Sequence, residues 1–316
     1  MVNYDILQQH LRRWDTILGS ARQVGSEHPG RELWPVQATD GRRYFLKRIG
    51  RWRNLSLADQ VRVLGHLARR GVPVAEFLVT DDAKLYAGAE DDSFVLMPHI
   101  DHDEPCPDDV SAADQIAGSA VASLHQALAE YPWDPHSYTE QFIDAMSGDL
   151  ALPPDIDERF RRDRAQIIDV LAPLPTQLVH GDLTPDNVLV SIREGSAAFI
   201  DLDHLPRAPR IWDIGKYLSR RFRQTARARA LASVTAFVGG YHRVSPLSEG
   251  EVLALPTMVT VMNLVEADWM EQILSGELDR RLLPEQKASL GPIHDALRWQ
   301  FENSDRIGDA IIAGLG

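Results

Sequence analysis

A single cysteine, Cys106, stands among the 316 residues. No internal disulfide can form, and one thiol fits a reducing cytoplasm. Lysine is also scarce, at Lys47, Lys84, Lys216 and Lys287 alone, with arginine supplying the rest of the 33 basic residues. That bias follows a GC-rich base composition and carries no functional message. Long apolar runs are missing. The most apolar stretch, Val252 to Val265, contains Pro256, Thr257, Thr260 and Asn263 and is too short to span a bilayer, so no membrane partner is expected. The N-terminal residues Met1 to Asp5 have neither a basic region nor an apolar core, so no signal peptide is expected. Excess positive charge is absent too: the net charge is −13. A nucleic-acid partner is excluded on that ground, because such binders need a basic surface to displace counterions. A nucleotide is not excluded, since a few local donors and Mg²⁺ can hold a triphosphate.

What is present is ordinary for a globular chain, 44% apolar and 25% charged. No internal repeat or low-complexity tract interrupts it. Ile6, Leu7, Leu11, Trp14, Ile17 and Leu18 form an amphipathic helical start. Strands are expected near Ala21–Val24, Leu33–Ala38 and Arg43–Arg48, the last two joined by a turn at Thr39-Asp40-Gly41. A helix follows from Ser56 to Arg70, then strands at Glu76–Thr80 and Ser93–Met97. After the turn-rich passage Pro98 to Pro107 the chain turns helical. Helices are expected at Ser111–Glu130, Ser137–Ser147, Ile156–Leu171, Ile211–Phe222, Thr225–Tyr241, Ser248–Leu274 and Lys287–Asn303. One strand–loop–strand–strand passage interrupts them at Gln177–Asp203. The fold class is therefore α+β.

The densest chemistry lies in His180-Gly181-Asp182-Leu183-Thr184-Pro185-Asp186-Asn187, between two apolar strands. Downstream, Ala198-Phe199-Ile200-Asp201 is a second apolar strand ending in a carboxylate. A carboxylate and an amide oxygen are hard donors suited to Mg²⁺. A further aspartate can orient a hydroxyl nucleophile or accept its proton.

These two motifs resemble the aminoglycoside phosphotransferase and choline kinase family, relatives of the protein kinases, whose catalytic loop reads H-G-D-x-x-x-x-N before a strand ending I-D. The resemblance implies a protein-kinase-like two-lobed fold, a small antiparallel-sheet N-lobe and a larger helical C-lobe. Residues 1–97 would be the nucleotide-binding lobe, 98–107 the hinge and linker, and 108–316 the lobe with the catalytic loop and acceptor site. Asp182 would be the catalytic base, Asn187 and Asp201 the Mg²⁺ ligands, and His180 and Asp213 supports of the loop. Lys47 would hold the phosphates, with Gln60 standing where the family usually has glutamate and able to accept from Lys47 without supplying charge. Ser26, in the loop Val24 to Gly30, would cover the phosphates. Met97, His99 and Ile100 would line the purine strand and hinge, where backbone recognition leaves ATP and GTP undistinguished.

On the acceptor side, Thr184 and Asp186 depart from the family's commoner His and Gly, and Asp186 adds negative charge there. Asp203, Glu266 and Trp269 are further candidates for contact with substrate. The Asp101-His102-Asp103-Glu104 run lacks metal-ligand spacing. The expected activity is transfer of a γ-phosphate from ATP or GTP to the hydroxyl of a small molecule, an antibiotic first. A metabolic kinase for an amino alcohol, sugar or nucleoside is the alternative, and a nucleotide-binding pseudokinase, favoured by Gln60 alone, is a third.

Overall fold

The computed structural model describes residues 4–20, 22–27, 32–49, 55–89, 92–103, 110–132, 146–278, 282 and 284–316. Ala21, His28, Pro29, Gly30, Glu104, Cys106 and residues 137–145 of the expected helix Ser137–Ser147 lie outside the described residues. The chain forms two compact units, Met1–Asp101 with Ala198–His204, and His102–Ala197 with Leu205–Gly316.

Unit 1 is built on a five-stranded antiparallel sheet of order β1-β2-β3-β5-β4. Its strands are β1 (Gln23–Val24), β2 (Leu33–Gln37), β3 (Arg43–Ile49), β4 (Ala87–Ala89) and β5 (Asp92–Pro98). Alternation along β3 sends Tyr44 and Leu46 to one face, where they pack with Leu7 and Leu11 of α1 (Tyr4–Leu11) and with Trp14. Trp14 also donates its indole N–H to Leu78 O at 2.8 Å. Further along the same strand, Ile49 packs with Val95 of β5 and with Leu57 of α3 (Leu57–Arg69). A four-residue helix, α2 (Asp15–Leu18), follows Trp14. Ser56 caps α3 by accepting from Asp59 N–H.

The expected strand Glu76–Thr80 is reduced to one bridge, Leu78 to Leu96. Thr80 donates its backbone N–H to Lys84 O instead, and Lys84 N–H donates to Thr80 Oγ1, closing a turn that ends any ladder. The edge position goes to β4, whose Ala-Gly-Ala sequence carries no strand signal of its own.

Unit 2 is mostly helical. It holds α4 (Val110–Ala129), α5 (Pro154–Leu171), α6 (Ile211–Gln224), α7 (Arg227–Val244), α8 (Glu249–Ser275), α9 (Pro284–Glu302) and α10 (Ser304–Leu315). Within it the short strands β6 (Thr176–Leu178) and β9 (Arg207–Pro209) pair antiparallel, β7 (Val188–Ser191) follows the loop, and β8 (Ser196–Phe199) starts in this unit and ends in unit 1. Strand β9 and helix α10 were not foreseen from sequence. Helix α8 begins with a capping box between Ser248 and Glu251 and ends at Gly276, whose φ of +83° is left-handed. By length and composition alone α8 is long and apolar enough to cross a membrane, but 67% of its apolar window is buried inside the protein.

Helices α4 and α7 meet backbone to backbone. A Cβ at Gly118 would stand 2.0 Å from Phe237 O, and one at Gly240 would stand 2.0 Å from Gln115 O. Neither carbonyl can rotate away, since both lie in helices. Gly118→Ala is expected to lower stability by about 3 kcal/mol, at the severe end for overpacking. Urea denaturation measures it, and an unchanged midpoint would contradict the tight crossing.

Candidate active site

In unit 1, strand β3 presents Lys47 between Leu33 of β2 and Val95 of β5. Its ammonium donates to Asp201 and, at 2.7 Å, to Asp203 Oδ2. Burial alone would lower this lysine's pKa, but the two carboxylates hold it above the ordinary lysine range. Gln60, on the buried face of α3, donates its amide to Asp203 Oδ1. The pairing of Gln60 with Lys47, left open by the sequence, is a relay in which Gln60 holds Asp203 and Asp203 holds Lys47. The charge that glutamate would bring to the helix comes instead from Asp203. Sequence reasoning had set Asp203 on the acceptor side, because nothing in its neighbours reveals a partner 156 residues away.

Asp201 has φ of +64°, in the left-handed region that costs a non-glycine residue roughly 1–2 kcal/mol. Aspartate tolerates this conformation better than most residues. Backbone strain of this kind collects at functional positions. Among the other expected contacts of unit 1, Met97 pairs with Phe45 across the sheet, and His99 donates its backbone N–H to Arg43 O at 3.0 Å. The His99 ring stacks on Phe45 with centroids 5.5 Å apart. Ile100 follows it, half-buried, and Ser26 is exposed.

In unit 2, the loop after β6 turns at Gly181, whose φ is +87°. That is the physical need for glycine in the His-Gly-Asp triplet. The turn aims two backbone N–H groups at one carboxylate: His180 N donates to Asp213 Oδ2 at 2.7 Å and Gly181 N to Asp213 Oδ1 at 2.9 Å. Asp213 is fully buried in the first turn of α6. Its carboxylate can only accept, so His125 Nε2, 2.9 Å away, donates to it. His125 Nδ1 lies 2.8 Å from the Tyr241 hydroxyl. Burial alone would raise the Asp213 pKa, but the His125 bond and the backbone donors hold it below the usual carboxylate range. Helices α4, α6 and α7 thus converge on the loop's first peptide groups. His125 and Tyr241 escaped the sequence reading, since neither lies near a motif.

The far end of the loop is a 3₁₀ turn, Pro185–Asn187. Asn187, buried in it, donates Nδ2 to Asp182 O at 2.8 Å, so the loop is closed on itself. His180 is buried, and Asp186 is exposed. Asp182 Oδ1 has Lys216 of α6 at 3.4 Å. Lys216 also stands 3.2 Å from Glu266 Oε2 on α8. Glu266 is gripped by Arg223 through two bonds of 2.7 Å each, with Arg220 3.5 Å away. Burial alone would raise the Glu266 pKa, but Lys216 and the two arginines hold it well below the ordinary glutamate range. Its charge, named from sequence as a candidate for contact with substrate, is already balanced inside the protein. Trp269 lies one turn further along α8, half-buried.

The phosphotransferase enzyme family model (APH) matches residues 31–247, more than half of the chain. The chain belongs to the phosphotransferase enzyme family. Among curated relatives of this phosphotransferase, the homoserine kinase of Phenylobacterium zucineum (strain HLK1) is 31% identical over 150 residues. That match covers 45% of the chain and 46% of the kinase, so the chain spans about half the length of this relative. In fold, the phosphotransferase is similar to a microcompartment-associated aminopropanol kinase, with a TM-score of 0.73 at 16% identity over 97% of this chain and 99% of that one. It is also similar to the amicoumacin kinase hAmiN, solved with AMP-PNP, Ca²⁺ and Ami. There the TM-score is 0.70 at 16% identity, covering 95% and 94% of the two chains. The family's two-lobed kinase-like fold, with a curled antiparallel sheet and a mostly helical remainder, is the architecture seen here.

Proposed function

We propose that this phosphotransferase moves the γ-phosphate of ATP, or GTP, to a hydroxyl of a small molecule. One observation carries the reading: Asp182 sits on a loop whose backbone is clamped at one end by buried Asp213 and closed at the other by Asn187. Such clamping keeps a base in one position, which general-base catalysis of phosphoryl transfer requires. Asp182 would accept a hydrogen bond from the acceptor hydroxyl and take its proton as the oxygen attacks phosphorus. Lys47 would hold the nucleotide's phosphates, exchanging its contact with Asp201 while keeping Asp203.

The Asp201 carboxylate and the Asn187 amide oxygen suit Mg²⁺, which commonly takes one or two protein ligands and completes its shell with phosphates and water. Among the described residues no cluster of three or more His, Cys, Asp or Glu could hold a metal alone. When bound, the ion would neutralise charge on the transferring phosphate.

A small metabolite is the favoured acceptor, supported by the homoserine kinase relative. A hydroxylated antibiotic stands second, supported by the fold likeness to amicoumacin kinase. The pseudokinase reading loses its one argument, since Asp203 supplies Lys47 with the charge that Gln60 lacks. The test is mass spectrometry of hydroxy amino acids, amino alcohols, sugars and aminoglycosides after incubation with ATP and Mg²⁺. A phosphate ester on one of the small metabolites is expected. A product only among the aminoglycosides would reverse the order of the two acceptor classes.

A further inference from the structure

Three cations face two carboxylates where α6 and α8 meet beside Asp182. Arg223 is spent on Glu266: its side chain is 2% exposed, it bonds both carboxylate oxygens, and its Nε donates to Asn263 Oδ1 at 2.7 Å. Lys216 stands between Glu266 and Asp182, with its side chain 19% exposed. Arg220 is left with the weakest engagement. It approaches Glu266 only at 3.5 Å, its side chain is 26% exposed, and its buried Nε has no hydrogen-bond partner among the described residues.

A buried guanidinium N–H without an acceptor is costly, and it is satisfied most strongly by an anion that takes two parallel bonds. Lys216 and Arg220 are four residues apart on α6, so they lie on one helix face about 6 Å apart along its axis. The local balance is one positive charge in a chain whose net charge is −13. A polycationic acceptor would be repelled at this place.

From this we infer that the acceptor is a small hydroxy acid, whose carboxylate is received by Arg220 and Lys216 while its hydroxyl, a few bonds away, meets Asp182. The inference rests on Asp182 being the base of the proposed phosphotransfer. Lys216 stands 3.4 Å from Asp182 Oδ1, so the hydroxyl and the carboxylate of the acceptor are separated by a short carbon chain. Glu266 takes no part in binding. With Arg223 it holds the two receiving cations at the right distance.

Matched acceptors differing only in the carboxylate test it: homoserine against 3-aminopropan-1-ol, serine against ethanolamine, and glycerate against glycerol. The full chain is assayed with ATP and Mg²⁺, and acceptor binding is measured separately by calorimetry without nucleotide. The acid of at least one pair is expected to have a kcat/KM on the order of 10- to 100-fold above its partner. Arg220→Gln is expected to raise KM for that acid by a similar factor. Affinity for a non-hydrolysable ATP analogue should stay unchanged, and Arg220→Lys should restore part of the loss. Equal or better use of the uncharged partners would overturn the inference and leave the phosphotransferase reading standing. So would an Arg220→Gln variant weakened toward the nucleotide rather than the acid. If no acceptor in either series is bound or phosphorylated, the inference falls, and phosphotransfer falls with it only if the sugars and aminoglycosides give no product either.

Discussion

Asp182→Asn is expected to slow phosphate transfer by roughly 10²–10⁴-fold, the range for removing a positioned general base. The amide keeps the shape of the side chain and can still accept a hydrogen bond from the acceptor hydroxyl, but it cannot take the proton. The loop should survive the change. Its clamps are the backbone N–H groups of His180 and Gly181 on Asp213, and the Asn187 bond to the backbone carbonyl of residue 182. None of these uses the Asp182 side chain. Nucleotide affinity should therefore stay close to wild type, as should the unfolding midpoint. Lys216 would lose one of its two carboxylates but keep Glu266 at 3.2 Å. Single-turnover rates and calorimetric titration with an ATP analogue separate the two effects. An unchanged transfer rate would remove Asp182 from its role.

Asp213→Ala should produce the largest loss of stability of any single change in the loop's support, about 3–5 kcal/mol. Three donors converge on this carboxylate: His180 N, Gly181 N and His125 Nε2. Two of the three lie where water cannot replace the lost acceptor, since Asp213, His125 and His180 are at most 1% exposed, while Gly181 is half-buried. The cost is the desolvation of several unpaired groups, on top of the lost bonds. Asp213→Asn retains one acceptor oxygen but sets an N–H₂ against donors, so it should fall between alanine and wild type. Urea denaturation followed by circular dichroism measures both variants. A loss below about 1 kcal/mol for alanine would mean that the backbone finds other acceptors, against the normal cost of a buried unmade bond.

The loop's shape was legible in the sequence because it is local. His180, Gly181, Asp182 and Asn187 lie within eight residues, and the glycine's positive φ follows from its type. Lys47 and Asp201 could be named from their strands. Their mutual contact could not, because it joins residues 154 apart. Separations of 143 and 88 residues likewise hid the partnerships of Gln60 with Asp203 and of His125 with Asp213. Helix periodicity located most of unit 2, since long amphipathic segments announce themselves over several turns. It missed β4 and β9, each of three residues, whose existence is decided by the neighbouring strand rather than by their own composition. Glu266 shows the limit most clearly. The sequence marked it only as a candidate for contact with substrate, and the folded chain reveals its two bonds to Arg223.

The most direct measurement supplies the protein with γ-labelled ATP, Mg²⁺ and a mixture of small hydroxylated acceptors, then follows the label. Phosphotransfer predicts label in one small molecule, at a rate that collapses in Asp182→Asn. Label that stays on the nucleotide across every acceptor, although the nucleotide binds, would contradict it.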